Sequence, residues 1–243
     1  MDLQLEGWRT LVTGASSGIG RDIATTLRDE GARVVGVARR AADLPEGLAG
    51  TIEADLLEVG AEQHVVAQSI EQLGGLDALV SAAGQGIHGS AVGTDDDTWQ
   101  QGLQLNLMSV VRLLRAALPS LREGGGRILV LTALSGTEPR PDHVVSNTSK
   151  AGLAALAKSV SREEARNDVL VNCLAPGRIR SRQVERNYPD AEAERSFCDQ
   201  HIPVGRFGEP SEASPLAALL VSPRNSYITG QTVHVDGGMA HGT

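Results

Sequence analysis

The run Arg9-Thr10-Leu11-Val12-Thr13-Gly14-Ala15-Ser16-Ser17-Gly18-Ile19-Gly20 passes from a short apolar strand through a glycine-rich turn into a helix. The strand is expected over residues 9–12 and the helix over 19–30, where Gly31 stops it. Glycines let the backbone turn tightly and approach a ligand closely. Unpaired N–H groups at a helix start favour negative charge. The order strand, turn, helix therefore implies a cradle for a dinucleotide pyrophosphate, formed by Gly14, Ser16, Ser17, Gly18, Ile19 and Gly20. The spacing is G-x3-G-x-G, not the commonest G-x-G-x-x-G. A glycine turn serving packing alone is the competing reading, and the flanking strand and helix weigh against it.

Working outward, the same alternation recurs. Further strands are expected over 33–38, 52–54, 78–81, 127–132, 170–174 and 232–235. Helices are expected over 94–121, 146–166 and 211–221. Thr94 reads as the cap of the first of these, with Asp95, Asp96 and Asp97 favouring its dipole. Repeated β-α-β units imply an α/β fold of Rossmann type: a doubly wound, mostly parallel sheet with helices on both faces. No linker or repeat divides the chain, so residues 1–243 read as one dinucleotide-binding domain. The irregular stretch 178–208 follows the sixth strand, at the edge where such sheets bind ligands, and reads as a substrate lid.

Composition narrows the function. Of 243 residues, 41% are apolar but only two each are Trp, Tyr and Phe. The core is then aliphatic, which suits buried parallel strands. A formal charge of −8 excludes a general nucleic-acid or membrane-surface role. Cys173 and Cys198 lack metal-ligand spacing and read as idle thiols, and no metal is expected. No apolar run approaches the ~18 residues of a membrane helix. The start Met1-Asp2-Leu3 carries no export signal, so a cytoplasmic protein is expected.

The second strand ends in Arg39 and Arg40. An acid near this position binds the ribose 2′-OH of NAD, whereas an arginine accommodates the 2′-phosphate of NADP. NADP(H) is thus favoured over NAD(H), with two solvated surface arginines as the alternative. Asp55 and Leu56, after the third strand, are placed for the adenine edge.

Taken together, these residues resemble the short-chain dehydrogenase/reductase family over nearly the whole chain. Its T-G-x-x-x-G-x-G motif is complete at Thr13 to Gly20. Ser81-Ala82-Ala83-Gly84 is similar to its N-N-A-G turn, with both Asn positions changed. Asn106 matches its helix Asn. Pro176-Gly177-Arg178-Ile179-Arg180-Ser181 resembles its P-G-x-I/V-x-T segment beside the nicotinamide, with Ser181 for Thr. The resemblance implies a seven-stranded sheet, NADP(H) contacts from Ala82, Ala83, Gly84, Lys150, Pro176, Gly177 and Ile179, and a homotetramer or homodimer.

The catalytic motif departs from the family. Y-x-x-x-K becomes Ser146-Asn147-Thr148-Ser149-Lys150, and the Ser thirteen residues upstream becomes Ala133. The chain resembles a divergent subgroup carrying S-N-x-x-R/K here. In the family the Tyr passes a proton to the carbonyl oxygen and the Lys holds the ribose. Loss of a positioned proton donor typically costs about 10²–10⁴ in rate. Lys150, directly or through Ser146 and water, is one replacement. His143 is another, because the family's enoyl reductases keep their Tyr there and imidazole titrates near neutrality; a solvent-facing loop histidine is the plainer reading. Ser135 and Tyr188 are lesser candidates, and Tyr227 reads as a packing residue.

In the lid, Arg178, Arg180, Arg182 and Arg186 suit a carboxylate or a carrier phosphate. Asp190, Glu192, Glu194 and Asp199 follow, so an exposed helix pairing its own ions fits as well. The lid's few apolar residues point to a polar small-molecule or carrier-bound substrate. Three functions follow: an NADP(H)-dependent carbonyl/alcohol oxidoreductase with an altered proton path, a reductase of an enone or imine, and an NADP(H)-holding scaffold or sensor without turnover.

Overall fold

The computed structural model describes residues 2–188 and 190–242, apart from the side chains of Arg182 and Gln183. Seven strands form one sheet: β1 (Arg9–Thr13), β2 (Arg33–Ala38), β3 (Gly50–Glu53), β4 (Ala78–Ser81), β5 (Arg127–Leu131), β6 (Leu170–Pro176) and β7 (Thr232–Val235). Their order is β3-β2-β1-β4-β5-β6-β7, and every pairing is parallel. The chain winds outward from β1 to β3 and then crosses to β4 on the other side of β1. That reversal opens a crevice above the carboxyl ends of β1 and β4, the expected ligand site of such a sheet.

Strand alternation divides the core. Leu11, Val35, Leu79, Ile128 and Val171 face the helices α2 (Ala61–Leu73), α4 (Ser109–Gly124) and α5 (Val144–Glu164). Val12, Val34, Val80, Leu129 and Leu174 face α1 (Gly18–Asp29) and α8 (Pro210–Val221). Both faces are aliphatic but for Trp8, which packs against the second. Both phenylalanines and one tyrosine sit under the lid. There α6 (Arg182–Asn187) and α7 (Ala191–His201) close over Leu134, Ile202, Phe207 and Met239, with Tyr188 and Phe197 packed alongside. The lid is nonetheless not a purely polar surface. Its few apolar residues are large and converge, with ring centroids of Tyr188 at 5.0 and 5.1 Å from Phe197 and Phe207. Tyr227, expected to pack, is 97% exposed.

Two helices differ from the sequence reading. Nothing in the sequence marked α2, because its inner face carries the fully buried Glu62 and Ser69 among its apolar residues. Arg112 Nη1 satisfies one Glu62 oxygen at 3.3 Å, and the Ser69 hydroxyl donates to the Val65 carbonyl. The long helix expected over 94–121 is interrupted. It begins as α3 (Asp96–Leu103), passes through a π-helical turn (Gln104–Met108), and continues as α4. Asp95, not Thr94, is its cap: Asp95 Oδ1 accepts from Thr98 N–H at 2.7 Å, while the Thr94 hydroxyl donates to Ser90. No helix among the described residues is long and apolar enough to cross a membrane.

At the edge opposite the crevice, the buried Arg127 side chain satisfies three backbone carbonyls. It donates to Asn225, Gly126 and Asp168 at 2.7, 2.9 and 2.9 Å. Arg127→Met removes the donor of the Asn225 carbonyl, while the Gly126 and Asp168 carbonyls keep their backbone partners, and is expected to cost about 1–3 kcal/mol. A urea titration checks this: the midpoint falls while the slope is kept.

Candidate active site

The glycine turn lies directly on the turn after β4. Gly14 has φ +69°, and a Cβ there would stand 2.7 Å from the Ala83 nitrogen. A Cβ on Gly20 would collide with the Gly14 carbonyl oxygen. Thr13, which the sequence reading left without a role, ties the two turns together. Its carbonyl accepts from Ala82 N–H at 3.3 Å and its hydroxyl from Ala83 N–H at 3.4 Å. Helix α1 then starts at the crevice with no side-chain cap on Ser17 and no acid in its first turn. Its first N–H groups are left for a ligand, which fits the pyrophosphate of a dinucleotide.

The crevice deepens into a cleft of about 1380 Å³. Its wall includes Gly14, Ser16, Ser17, Gly18, Ile19, Gly20, Arg39, Asp55, Leu56, Ala82, Ala83 and Gly84 on the cofactor side. His143, Ser146, Lys150, Pro176, Gly177 and Ile179 line it further along. Arg40 and Asn106 are not on this wall. Arg40 turns away and pairs with Asp43 at 2.6 Å. Arg39 remains exposed in the cleft, and no acid bonds it among the described residues. Asn106 lies behind the wall, 1% exposed.

The π turn explains the place of Asn106. It inserts a residue into the helix, and the Ser109 N–H reaches back to the Gln104 carbonyl. Such insertions re-aim side chains and are frequent at functional sites. Asn106 here holds the backbone of Gln85 from both ends: Oδ1 accepts from its N–H and Nδ2 donates to its C=O, each at 2.8 Å. It is a positioning residue for the loop after β4.

Ser146 grips the same loop two residues on. Its hydroxyl accepts from Ile87 N–H at 2.7 Å and donates to Ile87 C=O at 3.2 Å. The group in the family's Tyr position thus has its only proton committed to the backbone. As a relay to a substrate, Ser146 would have to release that bond. His143 is committed in a similar way. The Pro141 carbonyl can only accept, so Nδ1 carries the proton and donates to it at 2.9 Å. Arg140 can only donate, so Nε2 is bare and accepts from Nη2 at 3.3 Å. Burial pushes the imidazole pKa down, and the charges of Arg140, His88 and Arg178 add to this. His143 is neutral near pH 7, with no Nε2 proton to give. Tyr188 is not on the cleft wall; its hydroxyl accepts from Arg178 Nε at 3.3 Å.

Lys150 is different. Nζ donates to the Leu131 carbonyl at 3.0 Å and keeps two further N–H groups. Burial pushes its pKa down from 10.5 to about 8. A Cβ on Gly84 would lie 3.3 Å from this nitrogen and 3.1 Å from Asn106 Oδ1, so the bare backbone there makes room for both. Ser135 also faces the cleft, and its hydroxyl bonds no other described residue. Ser181 caps α6, accepting from Val184 N–H at 3.2 Å. Cys173 and Cys198 are buried free thiols; burial pushes Cys173 up to about 11.

The lid arginines divide. Arg180 pairs with Glu194 and Glu209, as an ion-paired helix would. Among the described residues, the Arg178 side chain hydrogen-bonds only Tyr188. Arg186 lines the cleft, and the Arg182 side chain lies outside the described residues. His88 and Arg140, also on the cleft wall, were missed by the sequence reading, since no motif spacing marks a lone His or an Arg between two prolines.

Comparison with known proteins agrees with this geometry. Residues 14–240 match the family model described as Enoyl-(Acyl carrier protein) reductase. The chain is 34% identical over 249 residues to the 3-oxoacyl-(acyl-carrier-protein) reductase FabG of Vibrio harveyi, covering 98% of this chain and 99% of that one. It is 33% identical over 240 residues to the human dehydrogenase/reductase SDR family member 4, covering 94% and 86%. The structure of L-sorbose reductase from Gluconobacter frateurii, complexed with NADPH and L-sorbose, superposes with a TM-score of 0.94 over the full length of both chains at 30% identity. The chain belongs to the short-chain dehydrogenase/reductase family of oxidoreductases.

Proposed function

We propose that the protein is an NADP(H)-dependent oxidoreductase of a carbonyl/alcohol pair in which Lys150 supplies the proton that a Tyr supplies elsewhere in the family. The observation that carries this reading is the cleft-facing ammonium of Lys150, with its pKa lowered to about 8. A general acid works best with a pKa near the operating pH. When bound, NADP(H) supplies or accepts the hydride. The uncapped start of α1 holds its pyrophosphate, and Arg39 meets its 2′-phosphate. Ser135 holds the substrate oxygen in place of the family Ser lost at Ala133. Lys150 donates its proton to that oxygen, directly or through water, and in the reverse direction takes the proton back.

A second reading is a reductase of an enone or imine. It is favoured by the commitment of the Ser146 hydroxyl to Ile87, because such substrates need no proton from a phenol at oxygen. Steady-state oxidation of NADPH against ketones, enones and cyclic imines tests both. Turnover of ketones supports the first reading, turnover of only the others supports the second, and no turnover by a cofactor-binding protein leaves the scaffold role.

Lys150 is charged below its pKa and neutral above it. The reductive kcat/KM is therefore expected to be flat below pH about 8 and to fall above it. Lys150→Arg keeps a cation that does not deprotonate in this range, so the rate drops by about 10²–10⁴ and the break near pH 8 disappears. A break that survives in Lys150→Arg assigns the proton to another group.

Arg39→Ala is expected to raise KM for NADPH by about 10–100-fold with little change for NADH, as loss of a charged hydrogen bond predicts. Arg40→Ala, which breaks an exposed pair with Asp43, shifts both by no more than about twofold. Initial rates with each cofactor check the contrast.

A further inference from the structure

Past the cofactor side of the cleft, four basic side chains gather on its wall: His88, Arg140, His143 and Arg178. The two imidazoles lie 4.2 Å apart between centroids. Arg140 Nη2 donates to His143 Nε2. The Arg140 backbone is fixed by Asn147, whose Oδ1 accepts from its N–H and whose Nδ2 donates to its C=O at 3.4 and 2.8 Å. Arg178 is braced on the rings of Phe197 and Tyr188, at 5.2 and 5.8 Å from their centroids. Both guanidiniums are thus held in place by an imidazole and aromatic rings, not by carboxylates.

Among the described residues, no carboxylate bonds or pairs with Arg140 or Arg178. The chain has 30 acidic residues against 22 Lys and Arg, so acids are not scarce. Arg180, two positions from Arg178, takes two of them. The carboxylates on the cleft wall are Asp55, beyond β3, and Glu185, on α6; neither bonds an arginine of the cluster. The cations also feel one another. Burial and the charge of Arg178 push the Arg140 pKa down; Tyr188 opposes this in part, and no carboxylate does. Half-buried like charges without a counter-ion are costly. A guanidinium fork matches the paired oxygens of a carboxylate or phosphate.

We infer that Arg140 and Arg178, with His88 beside them and His143 positioning Arg140, form an anion subsite, and that the substrate carries a carboxylate or phosphate near its reacting carbon. On α5 the cap His143 precedes Ser146 by three residues and Lys150 by seven, about 4.5 and about 10 Å along the axis. An anion here belongs to the substrate itself. The phosphate of a carrier arm lies much farther from the acyl carbon it delivers. The inference rests on the oxidoreductase reading only for the identity of the reacting carbon; the anion subsite is tested by binding alone.

The NADPH-saturated protein is titrated by calorimetry with acetoacetate and its methyl ester, and with dihydroxyacetone phosphate and dihydroxyacetone. At least one anion is expected to bind about tenfold or more tighter than its neutral counterpart, as a charged hydrogen bond implies, and the better one names the class. Arg140→Gln is expected to remove that preference and to leave NADPH affinity and the thermal midpoint in place. Arg178→Gln does the same for the anion but loosens the lid, so Arg140→Gln is the deciding variant. Equal binding of anion and neutral partner, a preference that survives Arg140→Gln, or a matching loss of NADPH affinity overturns the subsite. Anion binding that depends on Arg140, without NADPH oxidation, keeps the subsite and overturns the oxidoreductase reading.

Discussion

The contact between Gly14 and Ala83 governs the rest of the site. Two loops leave adjacent parallel strands at the point where the sheet changes direction, and they touch without an intervening side chain. A Cβ at Gly14 would force them apart. With it absent, Thr13 can bond both Ala82 and Ala83. The start of α1 and the end of β4 then become two sides of one crevice, so the phosphate cradle and the reaction end keep a fixed relation. The close approach, rather than glycine flexibility, is what this turn supplies.

The loop after β4 is held from outside the sheet by two side chains acting in the same manner. Asn106 takes both backbone groups of Gln85, and Ser146 takes both of Ile87. Each works as a small substitute strand, satisfying a peptide that has no neighbour to pair with. This gives the family's Tyr position a different physical role in this chain. A short hydroxyl side chain reaches the loop and stays there. Under the proposed function the reaction end relies on Lys150, whose burial lowers its pKa to about 8. Burial here has two effects at once: it lowers the pKa and holds the donor still against the Leu131 carbonyl.

The sequence carried the sheet and its cofactor side because both rest on local patterns. Most strands are short aliphatic runs, and the glycine turn announces itself by flanking elements. Helix α2 stayed hidden because its inward face includes Glu62 and Ser69, a pattern that reads as loop until Arg112 arrives from α4. The π turn at Asn106 was equally silent, since one inserted residue changes a hydrogen-bond ladder and not a hydropathy pattern. The departures at Ala133 and Ser146 were plain in the sequence, but what replaced them was not. That Ser146 and His143 are committed to Ile87 and Pro141 depends on contacts between side chains and distant or irregular backbone. Arg39 and Arg40 are neighbours in the sequence; the pairing of Arg40 with Asp43 and the place of Arg39 on the cleft wall separate them.

Charge placement links these points. The chain as a whole is acidic, at −8. Yet Arg39, Arg140, Arg178 and Lys150 all face the cleft, and among the described residues none of them is paired with an acid there. Surface arginines in the same chain do find partners: Arg9 with Asp77, Arg122 with Glu164, Arg206 with Glu212. An acidic exterior repels anions at long range, whereas a low-dielectric cleft lined by unpaired cations attracts them at short range. Screening by salt weakens the first effect more than the second, because the cleft charges are partly out of water. The arrangement therefore selects anions small enough to enter the cleft. Under the two proposals, NADP(H), with its pyrophosphate and 2′-phosphate, would satisfy that condition at one end, and a compact oxyanion substrate at the other.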